Sequence, residues 1–170
     1  MQNENMISFR KSNFDDLNSI EELFGEAIKE MNRNDIPQWD EIYPDLEVLK
    51  EDMLKQELYV GVINHFICSA FVLNQEMDEQ YSNGKWEYPI SRFCIIHRLC
   101  VNPIFQNQGI GTKTMKYIEK ILKEQGVETI RLDAFSLNPY ALNMYSALGY
   151  NIVGEAHWRK GMFFLMEKKL

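Results

Sequence analysis

The 170-residue sequence predicts a mixed α+β (α/β mixed) domain, a mostly antiparallel sheet with helices on both faces. Three observations predict it. Short alternating or apolar segments recur along the chain, several of them paired across turn residues as hairpins are. Two strongly amphipathic stretches, one ending near Asn32 and one closing at Gly126, interrupt them with helical spacing. Between Phe93 and Phe135 the order is strand, loop, helix, strand, the arrangement that a parallel crossover needs.

Taken in order, Met6 to Arg10 reads as a first strand. Asn13 or Asp15 caps a helix to about Asn32, with Leu17, Ile20, Leu23, Phe24, Ala27, Ile28 and Met31 as its apolar stripe. The stretch from Asn32 to Pro44 breaks the periodicity with two prolines and two aromatic residues, so it reads as a loop that is either a substrate wall or a lid. A short helix follows over Asp45 to Gln56, with Leu46, Leu49, Met53 and Leu54 expected inward. Glu57 to Ile63 and Phe66 to Leu73 form a hairpin about Asn64-His65. Asn74 to Ser91 is a polar, acidic excursion with Asn83-Gly84 as a turn signal, and its Tyr81, Trp86 and Tyr88 are placed to face an acceptor. Arg92 to Val101 reads as the fourth strand and Thr129 to Phe135 as the fifth. In the fifth, Ile130, Leu132 and Ala134 alternate with Thr129, Arg131 and Asp133. Asn138-Pro139 opens a helix that Gly149 closes. Tyr150 to Glu155 and Phe163 to Lys168 are two final antiparallel strands, for about seven in one domain spanning residues 1–170.

Composition narrows the class. A net charge of −7 argues against nucleic acid as a partner. No apolar run approaches a membrane span, and the first residues lack the basic and apolar regions of a signal peptide. Cys68, Cys94 and Cys100 are odd in number and lie in apolar segments, as buried thiols of a reducing cytoplasm do. His65, His97 and His157 are scattered, so no metal site is expected.

The most informative stretch runs from Val101 to Gly126. Asn102-Pro103 stops a strand, Gln106-Asn107-Gln108-Gly109-Ile110-Gly111 follows, and a helix begins whose stripe is Met115, Ile118, Ile121 and Leu122. The first N–H groups of such a helix have no partner and the helix dipole favours an anion there, while glycine removes Cβ atoms from its path. The spacing is neither a dinucleotide fingerprint, whose third glycine would fall at Thr114, nor a Walker loop. A second block, from Asn138 to Tyr150, sets Asn138, Ala141 and Tyr145 along one helical face.

Val101-x-Pro103 followed by Gln106-x-x-Gly109-x-Gly111 resembles the diphosphate-binding signature of the GNAT superfamily of N-acetyltransferases. The second block resembles that family's segment N-x-x-A-x-x-x-Y-x-x-x-G-(F/Y). The resemblance is tight over roughly the last 80 residues and otherwise holds in element order. It implies the GNAT acyl-CoA N-acyltransferase fold, with strands four and five splayed to admit the pantetheine arm of acetyl-CoA. Backbone groups of Leu99, Cys100 and Val101 would pair with that arm. N–H groups of Gln108, Gly109, Ile110 and Gly111, with Gln106, Asn107 and Thr112 beside them, would hold the diphosphate. Asn138 would bond the pantetheine amides, Ala141 leave room for them, and Tyr145 reach the sulfur.

The implied reaction transfers acetyl from acetyl-CoA to a primary amine of a small molecule, or to a peptide or protein amine, by direct attack in a ternary complex. Tyr145 is the expected acid toward the thiolate, and backbone N–H near Leu99 to Val101 the expected oxyanion donor. For the base, strand alternation would set His97 on the face of Leu99 and Val101, and arylalkylamine N-acetyltransferases carry a histidine at the matching position. A water chain ending on a carboxylate competes for that role, and a hydrogen-bonded core histidine is the structural alternative. Cys100 as a covalent nucleophile would need a base beside it. Arg98 is open among a solvated charge, an acceptor-carboxylate ligand and a salt bridge. Trp39, Tyr43 and Trp86 are the expected acceptor wall. The other function class in play is a non-catalytic acyl-CoA sensor or partner domain; a nucleotide-binding domain is disfavoured by the glycine spacing. The protein is expected as a monomer, or as a homodimer through His157, Trp158, Met162, Phe163 and Phe164.

Overall fold

A computed structural model describes residues 6–170; the first five residues, which contribute to the expectation of a leaderless N-terminus, lie outside the described residues. Seven strands form one sheet in the order β1-β2-β3-β4-β5-β7-β6. They are β1 (Ser8–Lys11), β2 (Leu58–Ile63), β3 (Phe66–Asn74), β4 (Phe93–Val101), β5 (Thr129–Phe135), β6 (Asn151–Trp158) and β7 (Gly161–Lys169). Every neighbouring pair is antiparallel except β4 and β5. The helices are α1 (Leu17–Arg33), α2 (Leu46–Leu54), α3 (Ile110–Glu124) and α4 (Pro139–Ala147). The boundaries of β5 match the sequence reading, the first strand starts two residues later and ends one later than expected, and the last strand runs further at both ends.

Alternation sorts the sheet into two cores. Leu58, Val60, Ala70, Val72 and Cys100 face α1 and α2 with Ile20, Leu23, Phe24, Leu49 and Met53. Phe71, Leu73, Cys94, Ile96, Ile130, Leu132 and Ala134 face α3 and α4 with Met115, Ile118, Leu122 and Tyr145. In α2 the inward set differs from the expectation at one position. Leu54 is exposed, and Asp52 is buried in its stead because it meets Arg98 across the core.

The residues between β3 and β4 cover the α1 face of the sheet. Tyr81, at the 3-10 turn Glu79–Asn83, packs with Ile95, Ala156 and Leu165. Trp86 does not face a cleft. Its ring lies 4.5 Å from the Arg131 guanidinium, with Phe93 at 4.3 Å from the same group. Arg131 is ion-paired to Glu167 at 3.3 Å with both side chains buried, and Glu167 Oε1 accepts the N–H groups of Glu87 and Tyr88. One buried pair therefore pins the whole segment to the sheet. In the aromatic C-terminal stretch Phe163 is turned inward, packed on Phe135 and Trp158 at ring distances of 5.0 and 5.1 Å, while His157 is exposed.

Two features of β4 position the site. Its pairing with β5 runs from Phe93–Thr129 to Ile96–Leu132 and stops, so the strands part beyond that point. Its pairing with β3 shifts register between Val72–His97 and Ala70–Cys100, and Arg98 there has φ +49°, the signature of a β-bulge. The bulge corrects the alternation expected for this strand. His97 shares the α1 face with Cys100, whereas Leu99 packs in the α3 core, so His97 and Leu99 lie on opposite faces.

Candidate active site

A cavity of about 510 Å³ fills the gap between the parted strands. One end is the start of α3. Gly109 is its N-cap at φ +73°, and no side chain caps the helix, so the first-turn N–H groups are free to meet an anion. Asn107 shares the left-handed conformation at φ +60°. Gly111 also serves the packing of the helices. A Cβ there would stand 2.9 Å from Met144 Sδ, so this glycine lets α4 approach α3. Gln106, Asn107, Gly109, Ile110, Gly111 and Thr112 all line the cavity. Gln108 is outside the lining and donates from Nε2 to the Ile104 carbonyl at 3.3 Å.

From the cradle the cavity runs along Leu99, Cys100 and Val101 on β4, past Ala134 and Phe135 on β5, to Ala141, Met144 and Tyr145 on α4. Beyond Ile96 the edge of β4 toward β5 has no strand partner, which leaves main-chain groups for an extended ligand. Asn138 lines the same space, but its side chain is engaged: Oδ1 caps α4 at Ala141 N, and Nδ2 donates to Gln38 Oε1 at 2.9 Å. Tyr145 is buried, and no hydrogen bond involves its hydroxyl among the described residues. Burial raises its pKa well above the usual phenol value, with Asp133 adding to the effect, so the phenol keeps its proton.

The opposite end is walled by Glu30, Met31, Asn34, Ile36, Gln38 and Trp39, from the end of α1 and the loop after it. Asp40 fastens that loop to the β6–β7 turn through Arg159, at 2.7 and 2.8 Å, and Lys160. Trp39 is the one expected acceptor residue in the lining. Tyr43, Trp86 and Arg98 stand outside it. Arg98 makes the salt bridge of its three readings: Nε and Nη2 donate to the two Asp52 oxygens at 2.8 and 2.6 Å, and Nη1 donates to the Tyr43 hydroxyl at 2.6 Å.

His97 likewise stands outside the lining, with Nε2 donating to Asn74 Oδ1 at 2.8 Å. Burial, with Arg98 beside it, lowers its pKa to about 4. Cys100 does line the cavity, yet burial pushes its thiol well above the ordinary value and no base adjoins it, which disfavours a covalent step. The three cysteines are free and buried. Among the described residues no cluster of His, Cys, Asp and Glu is arranged to hold a metal, and no helix is long and apolar enough to cross a membrane.

Two carboxylates of the cavity, Glu30 and Asp133, escaped the sequence reading. Asp133 is the first residue of β5 past its last pair with β4, and it lines the cavity. Its Oδ2 accepts a 2.8 Å hydrogen bond from the Tyr81 hydroxyl. Burial raises its pKa to about 6, against the lowering effects of Tyr81 and Arg98. The available signal was its place opposite the apolar face of TIRLDAF, at the end of a strand; a partner 52 residues away gave none.

Residues 78–150 match the Acetyltransferase (GNAT) family. The matched residues take in β4, α3, β5 and α4. Over 76 residues it is 29% identical to the thialysine N-ε-acetyltransferase of Bos taurus, a match that spans 45% of this chain and 43% of the bovine enzyme. The chain thus matches less than half the length of that curated relative. Likeness of fold extends further. A GNAT-family acetyltransferase from Streptococcus agalactiae superposes with a TM-score of 0.83 at 20% identity, covering 96% of this chain and 95% of that one. The PaiA N-acetyltransferase of Thermoplasma acidophilum, solved in complex with coenzyme A, superposes with a TM-score of 0.73 at 19% identity, covering 97% and 99%. The GNAT fold, with its splay between strands four and five, is therefore the fold of this chain.

Proposed function

We propose that the protein transfers an acetyl group from acetyl-CoA to a primary amine of a small molecule, or to a peptide or protein amine, by direct attack within a ternary complex. The observation that carries this reading is one continuous cavity, from the uncapped start of α3 to the buried phenol of Tyr145. Two further findings support it: coenzyme A is bound in the similar Thermoplasma enzyme, and the bovine relative is named for acetylation of an amine.

The residues present fit acetyl-CoA. Free N–H groups at Gly109 to Thr112 suit a diphosphate, and the unpaired edge of β4 at Leu99 to Val101 suits the amides of a pantetheine arm. When bound, the thioester supplies an activated acyl carbon. Main-chain N–H groups of the β4 edge orient its carbonyl and stabilise the oxyanion. Tyr145, protonated at neutral pH, donates to the departing sulfur. Trp39 and the loop after α1 wall the amine side. The three free cysteines fit a reducing cytoplasm, and residues 1–170 are taken as a single domain, monomeric or paired with a second copy.

Thiol release from acetyl-CoA over a panel of small amines and N-terminal peptides tests the reading. The expected result is amine-dependent release, with a product heavier by one acetyl group. Tight binding of acetyl-CoA without turnover on any amine would overturn it.

A further inference from the structure

We propose that Asp133, at the fork where β4 and β5 part, is the base that receives the proton of the acceptor ammonium, and that Tyr81 is its positioning residue. The inference rests on the transferase reading and adds the proton acceptor to it.

Three observations place Asp133 there. The last β4–β5 pair is Ile96–Leu132, so residue 133 is the first whose strand has left its neighbour, and its carboxyl opens into the gap. Alternation sets it on the α1 face, opposite the Ala134 side chain that packs in the α3 core, so it approaches the gap from the side walled by Trp39 and Gln38. It is also close enough to raise the Tyr145 phenol pKa, which sets base and acid at one cavity from opposite faces of the sheet. The lining holds no Lys, Arg or His, and Glu30 near the end of α1 is its other carboxylate.

Tyr81 belongs to the segment between β3 and β4 and reaches the cavity only through Asp133, since it is not itself a lining residue. Its hydroxyl occupies one lone pair of Oδ2, which leaves the remaining carboxylate lone pairs for an ammonium or a water. The groups facing Asp133 are Tyr81 and Asp78 from that segment, Arg98 from β4 and Tyr145 from α4. Burial and Asp78 raise the Asp133 pKa, Tyr81 and Arg98 lower it, and the result of about 6 is matched to a base working near neutrality. His97, lowered to about 4 and bonded to Asn74, is the weaker acceptor on both counts.

The step balances as follows. Asp133 takes one proton from the ammonium, and the freed nitrogen lone pair attacks the thioester carbon. The C–N bond forms, the C–S bond breaks, and the sulfur leaves with the bonding pair. Tyr145 protonates that sulfur and regains a proton from the attacking nitrogen. Asp133 releases its proton to solvent, so the net products are amide, thiol and one proton.

The test compares wild type with Asp133→Asn, Tyr81→Phe and His97→Gln in pH–rate profiles of amine-dependent thiol release, and in thermal unfolding with and without acetyl-CoA. In wild type kcat/KM should fall below an acid limb near pH 6. Asp133→Asn should lose at least about 100-fold in kcat while keeping the acetyl-CoA-dependent rise in unfolding temperature. Tyr81→Phe should move the acid limb upward, because it removes a hydrogen bond that favours the carboxylate; His97→Gln should leave the limb in place. A readout independent of turnover accompanies these. Asp133→Asn should unfold at a higher temperature than wild type at pH 8, and the gap should close toward pH 4, since wild type holds a desolvated charge only when ionised. Turnover in Asp133→Asn within about threefold of wild type, or a limb that moves with His97→Gln, would overturn the assignment and leave the transferase reading standing. No turnover by wild type on any amine would overturn both.

Discussion

On the side of α3 and α4 the cleft is walled by main chain, by small or apolar side chains such as Gly109, Ile110, Ala134 and Met144, and by the uncharged polar side chains of Gln106, Asn107, Thr112, Asn138 and Tyr145. On the side of α1 and the β3–β4 segment, it is shaped by side chains fixed through charge. Arg98 lies between Asp52 and Tyr43, Asp40 clips the loop to Arg159, Tyr81 holds Asp133, and Glu167 holds Arg131 and the segment above it. The difference follows from what each side would receive. A diphosphate and a chain of amides are read by N–H groups that any sequence supplies once the backbone is bent correctly. An ammonium must be stripped of water and of a proton, which takes particular side chains at particular distances.

Breaking the acceptor side at its anchor should have the largest effect. Glu167→Ala leaves Arg131 buried without its counter-ion and frees the N–H groups of Glu87 and Tyr88. A loss of about 3–5 kcal/mol is expected in urea unfolding. At a temperature where the variant is folded, acetyl-CoA affinity should be nearly unchanged.

A second effect is read in pH. The folded state holds His97 near 4 against an ordinary value of 6.5, so the unfolded chain binds its proton first and stability falls as pH drops from 6.5 toward 4. Asp133 has the opposite sign, because its folded value of about 6 exceeds 3.8 and the folded state takes up the proton first. The two slopes offset each other in wild type. His97→Gln should therefore become more stable as pH falls from 6 to 4, by an upper bound of about 3 kcal/mol from Asp133 alone, at 1.36 kcal/mol per unit. A stability of His97→Gln that falls through that window like an ordinary acid-labile protein would refute the raised carboxyl.

The cofactor side should break by crowding instead. Gly111→Val drives a side chain into Met144 Sδ, which a Cβ would already meet at 2.9 Å. About 1–3 kcal/mol of destabilisation is expected, with loss of most of the acetyl-CoA-induced stabilisation as Met144 moves into the cleft. The smallest effect belongs to the loop clip. Arg159 is exposed and Asp40 partly so, which leaves the pair open to solvent and salt, and Asp40→Asn should move the unfolding midpoint little at neutral pH. It should raise KM for the amine and leave KM for acetyl-CoA in place, in steady-state kinetics.

The same contrast explains what was legible in the sequence. The cradle, the α4 block and β5 could be read because their signals are local: a proline stop, glycines at fixed offsets, an alternation of two. The acceptor side could not. Asp52 and Arg98 are 46 residues apart, Tyr81 and Asp133 are 52 apart, and Gln38 and Asn138 are 100 apart. No periodicity marks such pairs. The bulge at Arg98 was hidden for a related reason: an extra residue in an otherwise regular apolar strand leaves the composition unchanged while reversing the facing of everything after it. That one residue separated His97 from Leu99. Tyr43 and Trp86 were expected in the acceptor wall as aromatic residues of loops, but both are occupied by arginines.

The most direct measurement is thermal unfolding of the wild-type protein with acetyl-CoA, CoA and ATP, each at saturation. A ligand that binds only the folded state at a hundredfold excess over its dissociation constant raises stability by about 2.7 kcal/mol. A rise of that order with acetyl-CoA and CoA, and none with ATP, is expected of a cleft shaped for the pantetheine arm as well as the diphosphate. No rise with either CoA species would contradict it, and the open start of α3 would then be only a turn.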